Sequence, residues 1–456
     1  MEHLPSERAL SERLHGIVKA YDVRGTVPDQ LDAEVCHAIG RAAAVELGAE
    51  KIIVARDMRP SGPELADALM AGIRAQGVDT IDIGLASTDL LYYASGAEGL
   101  PGIVLTASHN PAQYNGMKFC RAGAAPVSLD TGLGAMRDRA IAGDFPAADR
   151  EGSHEVVEGT IERYADHVRS FVDLDALRPL KVAVDAGNGM AGLVVPEVFD
   201  GLPVDLVPLY FELDGTFPNH PANPIEPENL RDLQRSVRLH GCDIGLAFDG
   251  DADRMFCVDG DGEPVSPSLV TAVIAATTLE RHPGATILHT LICSRVVPET
   301  IEAHGGTAVR TRVGHSFIKQ VMAETGARFG GEHSAHYYFA DNYRADSGLI
   351  AAVILLEALS RSGGSFADLV APYDRYVASG EINSTVADPQ AAVDAVERAF
   401  ADEATLSRPD GLLAEADTWW FNLRPSNTEP LLRLNVEGDD EATMTAVRDR
   451  VLSLIR

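Results

Sequence analysis

The sequence is short of cysteine, and the shortage excludes two kinds of protein. Five cysteines stand in 456 residues, an odd number scattered without any C-x-x-C pair. This spacing supports neither a disulfide framework nor a zinc site, and it fits a reducing compartment. We therefore expect a cytoplasmic protein with free thiols.

Long hydrophobic runs are missing as well. The longest apolar run, residues 349–356, is too short to cross a bilayer. The polar start MEHLPSERALSERLHG has none of the apolar core of a signal peptide. We expect an unexported protein that does not bind membranes.

Positive charge is the third shortage. Lys and Arg number 38 against 68 Asp and Glu, for a net charge of -30. Such a surface repels nucleic acid and acidic membranes, so neither is an expected partner. An anionic small molecule would need a locally basic pocket.

What the sequence does contain is a repeated unit of strand, loop, amphipathic helix and strand, starting at Lys51, Leu180 and Gly284. This order predicts α/β domains with mixed, mainly parallel sheets, followed by a smaller C-terminal α+β domain, all around a central cleft. The expected domains are residues 1–153, 154–260, 261–371 and 372–456.

Each repeat is followed by another short strand, a polar loop and a strand that returns. Ligands of open α/β sheets gather beyond the carboxyl ends of strands. The three loops should therefore meet in one cleft.

The first of these loops reads TASHNP and places Ser108 directly after an apolar strand. A serine there is a candidate nucleophile, although Ser and Asn also serve as plain turn residues. The chain has no G-x-S-x-G elbow, and His109 is adjacent in sequence, so a hydrolase triad is disfavoured.

The second loop reads DGDADR and sets carboxylates at alternate positions, namely Asp249, Asp251 and Asp253. Oxygen ligands in such a small number favour Mg²⁺. An EF-hand is excluded because Arg254 and Gly260 stand where its glycine and glutamate belong. The alternative is an Asp-rich turn.

Two further loops carry ligand-binding chemistry. The loop GEHSAH offers Glu332, Ser334 and His336, a suitable set for sugar hydroxyls. The loop RPSNTEP, in a predicted hairpin of the last domain, combines a guanidinium with hydroxyls and amides that suit a phosphate. Alone, each resembles any polar surface loop.

One motif favours a different function. Gly187, Gly189 and Gly192 form a G-x-G-x-x-G after a strand and before a helix, the position of a dinucleotide fingerprint. Two features argue against a nicotinamide cofactor at this motif. Asp185 would face the pyrophosphate, and the other loops would have no purpose. Tight packing of the helix on the strand is the preferred interpretation.

Taken in order, the four loops resemble the signatures of the α-D-phosphohexomutase family over the whole chain. KAYDVRG and VGHSFIK are similar to further family segments. The resemblance implies an intramolecular phosphotransferase with Ser108 as phosphoserine, Mg²⁺ held by Ser108 and the three aspartates, and hexose 1,6-bisphosphate as activator. It implies a phosphosugar substrate and a monomer or dimer.

By the same resemblance, Arg254, Lys118, His109 and His336 belong to the catalytic centre, and Lys118 and His336 are alternative general bases. The implied substrate-binding residues are Arg24, His315, Lys319, Glu332, Ser334, Arg424, Ser426, Asn427 and Thr428. The form of GEHSAH resembles phosphomannomutases and mannose/glucose enzymes. Phosphoglucosamine mutase is the alternative.

The chain departs from the family pattern at two positions. Ala335 replaces the usual glycine between Ser334 and His336. Ile292 stands where many relatives carry lysine, which leaves open whether Arg295 takes over that contact.

Overall fold

The chain folds into four successive β-sheets. The computed structural model describes residues 10–425 and 431–456, without the side chain of His315. The first three sheets are mixed and the fourth is antiparallel. The predicted architecture of three α/β units and a C-terminal α+β unit is confirmed.

The first sheet has the strand order β1-β5-β4-β2-β3-β7, with β6 on β5. Its strands are β1 (Val23–Thr26), β2 (Lys51–Arg56), β3 (Asp79–Leu85), β4 (Gly102–Leu105), β5 (Tyr114–Arg121), β6 (Ala125–Pro126) and β7 (His154–Val156). Its helices are α1 (Leu10–Ile17), α2 (Ala33–Leu47), α3 (Gly62–Arg74), α4 (Thr88–Glu98) and α5 (Leu133–Ala142). The strands β2, β3 and β4 are parallel, and β5 returns antiparallel to β4.

The second sheet repeats this arrangement in the order β12-β11-β10-β8-β9. It comprises α6 (Thr160–Arg169), β8 (Leu180–Asp185), α7 (Ala191–Phe199), β9 (Val204–Leu209), α8 (Arg231–His240), β10 (Ile244–Phe248), β11 (Met255–Asp259) and β12 (Pro264–Val265). Here β10 is parallel to β8, and β11 returns antiparallel to β10.

The third sheet has the order β14-β13-β15-β16. Its elements are α9 (Pro267–Arg281), β13 (Thr286–Thr290), α10 (Val296–Ala303), β14 (Thr307–Thr311), α11 (His315–Thr325), β15 (Phe329–Gly331), β16 (Tyr337–Phe339), α12 (Gly348–Ser362) and α13 (Phe366–Val370). The apolar run noted in the sequence lies in α12, which is buried along most of its length.

The last sheet has the order β17-β21-β20-β19-β18. It contains β17 (Val377–Thr385), α14 (Pro389–Phe400), β18 (Thr405–Ser407), β19 (Leu412–Glu415), β20 (Trp419–Pro425), β21 (Leu431–Gly438) and α15 (Glu441–Ile455). The predicted hairpin is β20 and β21, and the predicted helices are α14 and α15. A separate hydrophobic core lies between this sheet and its helices.

The three α/β units place their loops at corresponding positions. Ser108 follows β4, Asp249 follows β10 and Glu332 follows β15, and each loop leads into an antiparallel return strand. The topology therefore brings the three predicted loops to the carboxyl ends of strands. No helix within residues 10–425 and 431–456 is long and apolar enough to cross a membrane.

Candidate active site

The Ser108 loop is held in a conformation that side-chain-bearing residues rarely adopt. Ser108 is 5% exposed and has φ +49°. Its backbone N–H donates to Thr106 Oγ1 at 2.9 Å, and its Oγ donates to Asp249 Oδ2 at 2.8 Å. A left-handed serine costs free energy, so neighbouring contacts must fix the loop.

Arg59 supplies those contacts. Its guanidinium, buried with its partner Asp57, donates to the carbonyl oxygens of Ser108 at 2.9 Å and Asn110 at 2.7 Å. The other η nitrogen donates to the carbonyl oxygens of Pro111 at 2.9 Å and Tyr114 at 2.8 Å. One buried cation thus organises the whole loop by charge-assisted hydrogen bonds.

The three predicted aspartates meet in one buried cluster beside Ser108. Asp249, Asp251 and Asp253 are each at most 1% exposed, and one carboxylate oxygen of each lies within 4.8 Å of the others. Thr88, the first residue of α4, fixes the cluster from the first domain by donating from Oγ1 to Asp251 Oδ2 at 2.6 Å.

Two cations face this cluster. Lys118 Nζ lies 2.7 Å from Asp251 Oδ2 and 2.5 Å from Asp253 Oδ2, and Arg254 Nε donates to Asp249 Oδ2 at 2.8 Å. Burial would lower the pKa of Lys118, but Asp251 and Asp253 outweigh it and hold that pKa well above its usual value. Burial raises the pKa of Asp249 to about 7. The negative charges of Asp251 and Asp253 raise it further, and the positive charge of Arg254 lowers it.

The donor set fits a hard divalent cation. Asp251 Oδ1 and Asp253 Oδ1 are buried and have no hydrogen-bond partner within residues 10–425 and 431–456. Buried carboxylate oxygens without partners are costly, and a cation bound between them removes that cost. Oxygen-only ligands in this number suit Mg²⁺.

The GEHSAH loop, residues 331–336, which we call the sugar loop, joins the DGDADR loop, residues 249–254, which we call the metal loop, through the backbone. Arg254 and His336 form an isolated antiparallel bridge, and Met255 N donates to the carbonyl oxygen of Ala335 at 3.3 Å. Ser334 Oγ lies 3.0 Å from His336 Nδ1. Ala335 has φ +66°, which explains why glycine suits this position; the buried alanine keeps the same turn at a cost in strain.

Glu332 is anchored from two sides. Its Oε2 accepts from Tyr338 Oη at 2.7 Å, and its Oε1 accepts from Gly314 N at 3.3 Å. His336 Nε2 lies 3.7 Å from Asp253 Oδ1. The sugar loop and the carboxylate cluster are therefore neighbours, as expected if the loops of the three α/β units meet in one cleft.

His109 and Arg24 flank the serine. His109 Nδ1 lies 3.2 Å from Ser108 Oγ, and Arg24 Nη1 donates to Asn110 Oδ1 at 2.6 Å. Burial, together with the charges of Arg254 and Arg24, lowers the pKa of His109 well below its usual value. Its ring is neutral at pH 7.

The remaining predicted residues lie in different settings. Lys319 is 2% exposed; its Nζ lies 2.9 Å from Asp346 Oδ1 and over the ring of Tyr92. Asp346 connects it to the cluster, because a carboxylate oxygen of Asp346 lies near Asp253 and His336. The side chain of His315 lies outside the described residues.

In the C-terminal domain, Arg424 is the last residue but one of β20, and its Nη2 lies 3.3 Å from Glu381 Oε2. Ser426, Asn427 and Thr428 lie outside the described residues. Arg295 donates to the carbonyl oxygens of Asp417 and Ala416, so it joins the third and fourth domains.

Three residues of the site escaped sequence reasoning: Arg59, Thr88 and Glu381. Arg59 follows β2 in the stretch RDMRP, where Asp57 and Arg59 stand at the carboxyl end of a buried strand. That position was an available signal. Thr88 and Glu381 have no such signal in the sequence, because only their tertiary contacts bring them to the site.

The glycine motif of residues 187–192 is a packed turn. A Cβ at Gly189 would come within 2.7 Å of the carbonyl oxygen of Gly250 in the metal loop. One at Gly192 would lie 2.2 Å from the carbonyl oxygen of Phe211. The glycines are needed for close packing inside the protein, as preferred from the sequence.

Fold and site together define a class: a four-domain α/β enzyme with a buried serine beside a carboxylate cluster suited to a divalent cation. The chain belongs to the phosphoglucomutase/phosphomannomutase family. Its α/β/α domain I matches residues 15–135, domain II residues 162–262, domain III residues 267–376 and the C-terminal domain residues 381–454.

Similar proteins span the chain. A protein of Xanthomonas campestris pv. campestris described as "Phosphohexose mutases" is 42% identical over 438 residues, covering 95% of this chain and 98% of that protein. A phosphomannomutase of Salmonella typhimurium is 40% identical, with coverages of 95% and 97%. The phosphomannomutase/phosphoglucomutase of Pseudomonas aeruginosa is 38% identical, with coverages of 95% and 94%.

A crystal structure of a phosphoglucomutase/phosphomannomutase family protein from Burkholderia thailandensis has the same fold. It superposes with a TM-score of 0.88 at 34% identity, covering 96% of this chain and 97% of that one. The two chains therefore share one fold over nearly all of their compared length.

Proposed function

We propose that the chain is a phosphohexomutase that interconverts hexose 6-phosphate and hexose 1-phosphate, with mannose as the preferred sugar and glucose as a second. The observation that carries the proposal is the 2.8 Å hydrogen bond from Ser108 Oγ to Asp249 Oδ2 in the buried carboxylate cluster. A phosphoryl group on Ser108 would lie beside that cluster.

The charges at the site suit a phosphoserine. A phosphoserine carries about -1.5 to -2 charges at pH 7. Arg254 and Lys118 lie at the cluster to offset this charge. Mg²⁺, held by Asp249, Asp251, Asp253 and a phosphoserine oxygen, would supply Lewis-acid stabilisation of the transferring phosphoryl group.

The transfer itself is an in-line displacement. A sugar hydroxyl oxygen forms a bond to phosphorus while the bond from phosphorus to Ser108 Oγ breaks. The hydroxyl proton passes to His336 or Lys118, both of which contact Asp253. Lys118 can accept it only after giving up the proton that Asp251 and Asp253 stabilise, so its raised pKa favours His336 as the base. The product is a hexose 1,6-bisphosphate, which turns end for end and returns its other phosphoryl group to Ser108.

The sugar is positioned by groups from two loops. Glu332 and Ser334 hold its hydroxyls, and Arg424 with Ser426, Asn427 and Thr428 holds the phosphate that does not react. Arg24, His315 and Lys319 complete the cleft, Lys319 through Asp346. Glu381, which pairs with Arg424 at 3.3 Å, gives up this contact when phosphate binds.

Several finer features belong to the same proposal. The domains divide at 153/154, 260/261 and 371/372, and the enzyme is a monomer or dimer. Added hexose 1,6-bisphosphate activates it by recharging unphosphorylated Ser108. All five cysteines are free and buried, which suits the cytoplasm, and the net charge of -30 disfavours nucleic acid.

Coupled assays with mannose 1-phosphate, glucose 1-phosphate and glucosamine 6-phosphate test the choice of sugar. We expect the highest kcat/KM for mannose 1-phosphate. A preference for glucosamine 6-phosphate would establish the alternative, a phosphoglucosamine mutase. Saturable binding of a nicotinamide cofactor in calorimetry would instead support an oxidoreductase; the packed glycine motif disfavours it.

A further inference from the structure

Residues 210–226, which follow β9 in the second domain, contain neither α-helix nor β-strand. Irregular stretches of this length are uncommon inside compact domains and often serve a function. No residue of this stretch belongs to the catalytic or substrate-binding set. We call its middle part, residues 215–223, the bracing segment, because it packs against the residues that hold Ser108 in place.

The bracing segment packs on Arg59, which organises the Ser108 loop. The guanidinium carbon of Arg59 lies over the ring of Phe217, 5.1 Å from its centre, which is within the range of a cation–π contact. A Cβ at Gly215 would lie 2.5 Å from the Cα of Arg59, so the two backbones are in direct contact. The segment thus holds the residue whose guanidinium donates to the carbonyl oxygen of Ser108.

The bracing segment also packs on the metal loop. Ala222 is buried, and its Cβ lies 3.6 Å from the position that a Cβ at Gly250 would take. The same Cβ would lie 2.5 Å from the carbonyl oxygen of Ser108, so Gly250 stands between the segment and the serine. One groove is lined by both the segment and the Ser108 loop, through Pro221, Asn223, His109 and Asn110.

His220 fastens the bracing segment to the second sheet. Its Nε2 lies 3.0 Å from Asp185 Oδ2 at the end of β8, and its Nδ1 lies 2.9 Å from the carbonyl oxygen of Pro221. Both partners are acceptors, so only the imidazolium, which has a proton on each nitrogen, donates to both. In either neutral tautomer, one ring nitrogen turns a lone pair towards an acceptor oxygen. The two contacts therefore favour the protonated ring.

Two carboxylates act on His220. Asp185 is 1% exposed, and Asp232 of α8 accepts at 2.7 Å from the hydroxyl of Tyr210, whose ring packs edge-on against His220. Burial would lower the pKa of His220, but the hydrogen bond and charge of Asp185, the neighbouring carbonyl and the charge of Asp232 outweigh it and raise that pKa above its usual value. His220 thus keeps its proton to a higher pH than an ordinary histidine.

We propose that protonated His220 is a positioning residue for phosphoryl transfer at Ser108. By tying the bracing segment to Asp185, it keeps Arg59 and the metal loop aligned with the serine. Deprotonation removes one of its two contacts, so the segment loosens and Ser108 leaves its productive position. We expect kcat to fall as His220 is deprotonated, with little change in KM. The proposal rests on the mutase function proposed above.

The test compares pH profiles of kcat for the wild type and His220→Gln, measured with mannose 1-phosphate over about pH 6–9. Glutamine can still donate to Asp185 but carries no charge. We expect the wild type to exceed the variant by about tenfold in kcat at the acidic end, with similar KM, and the two profiles to converge as pH rises. Other groups of the site titrate in both proteins, so the ratio isolates His220. His240→Gln, at the exposed end of α8, is the matched control and should follow the wild type at every pH.

A second variant and a second measurement complete the test. Asp185→Asn keeps the shape of the side chain but removes its charge, so the fall in kcat should move to lower pH. Hydrogen–deuterium exchange does not depend on turnover, and peptides covering the Ser108 loop should exchange faster in His220→Gln than in the wild type at the same pH.

A constant ratio of wild-type to His220→Gln kcat across the pH range would overturn the proposal, and so would unchanged exchange of the Ser108 loop. The Asp185→Asn profile decides the matter even if His220→Gln does not fold. A wild-type protein without mutase activity would overturn the proposed function instead, and the exchange measurement would still show whether His220 holds the loop.

Discussion

The guanidinium of Arg59 donates a 2.9 Å hydrogen bond to the carbonyl oxygen of Ser108, the residue with φ +49°. Arg59 is 1% exposed and pairs with the equally buried Asp57. A strained serine is thus fixed by a rigid, buried fork of donors. Its Oγ can then face Asp249 in the second domain.

Replacing Arg59 by Lys should therefore impair chemistry more than binding. A lysine cannot reach the four carbonyl oxygens that the guanidinium contacts, so we expect kcat to fall by about 10²-fold with little change in KM. The free energy of unfolding should fall by about 2–4 kcal/mol, because the pair with Asp57 is buried. Steady-state kinetics and urea unfolding measure both.

The control is Arg56→Lys, at the end of the same strand. It should keep wild-type kcat. An Arg59→Lys enzyme with full kcat would mean that Ser108 holds its position without the guanidinium.

Metal removal should abolish turnover. Three buried carboxylates face two cations, and two of their oxygens accept no hydrogen bond from the part of the chain that the structure describes. We expect excess EDTA to stop the reaction and Mg²⁺ to restore it. Calorimetry should show Mg²⁺ binding that Asp251→Asn weakens strongly. Full activity in excess chelator would contradict the assignment of this cluster.

The phosphate-holding role that we propose for Arg424 makes a separate prediction. Arg424→Ala removes a bidentate partner of the distal phosphate, so KM for the hexose phosphate should rise by one to two orders of magnitude, with a smaller fall in kcat. Arg408→Ala, which removes an exposed arginine paired with Asp394 and Glu397, is the control. Equal kinetics for both variants would place Arg424 outside the site.

A buried carboxyl should make stability depend on pH. Asp89 accepts from Ser87, Tyr164 and Ser347, which come from the first, second and third α/β units. Burial raises its pKa to about 7, although these hydrogen bonds oppose the shift. Between its unfolded pKa of about 4 and this value, the folded state binds more protons than the unfolded state.

The contribution of Asp89 is therefore fully present below about pH 4 and is lost as pH rises through 7. Urea unfolding should show wild-type stability falling relative to Asp89→Asn over this interval, by at most about 1.4 kcal/mol per pH unit. Parallel pH profiles for the two proteins would show that Asp89 is ionised in the folded state throughout.

Local sequence patterns predicted the loops of the site but not the residues that hold these loops in position. Ser108, Asp249 and Glu332 each follow an apolar strand, and the open-sheet rule places such loops together. Arg59 stands at a corresponding strand end. It was missed because an arginine there is usually a surface residue, and only tertiary packing buries it.

The burial of the ion pair between Lys319 and Asp346 could not be predicted from the sequence either. Lys319 lies in α11 and Asp346 just before α12, and their 2.9 Å contact depends on how these segments pack. Its sequence neighbours carry no sign that this lysine is 2% exposed. Asp89, Tyr164 and Ser347 likewise meet across three repeats that the sequence treats as separate.

The central claim is that Ser108 carries the phosphoryl group, and transfer of isotopic label tests it most directly. Enzyme charged with labelled phosphate and then mixed with unlabelled mannose 1-phosphate should pass the label to sugar phosphate without releasing inorganic phosphate. Ser108→Ala should take up no label and lose orders of magnitude in kcat while still binding substrate. Label that remains on the protein or appears as inorganic phosphate, or a Ser108→Ala variant that isomerises sugar phosphates at the wild-type rate, would contradict the account.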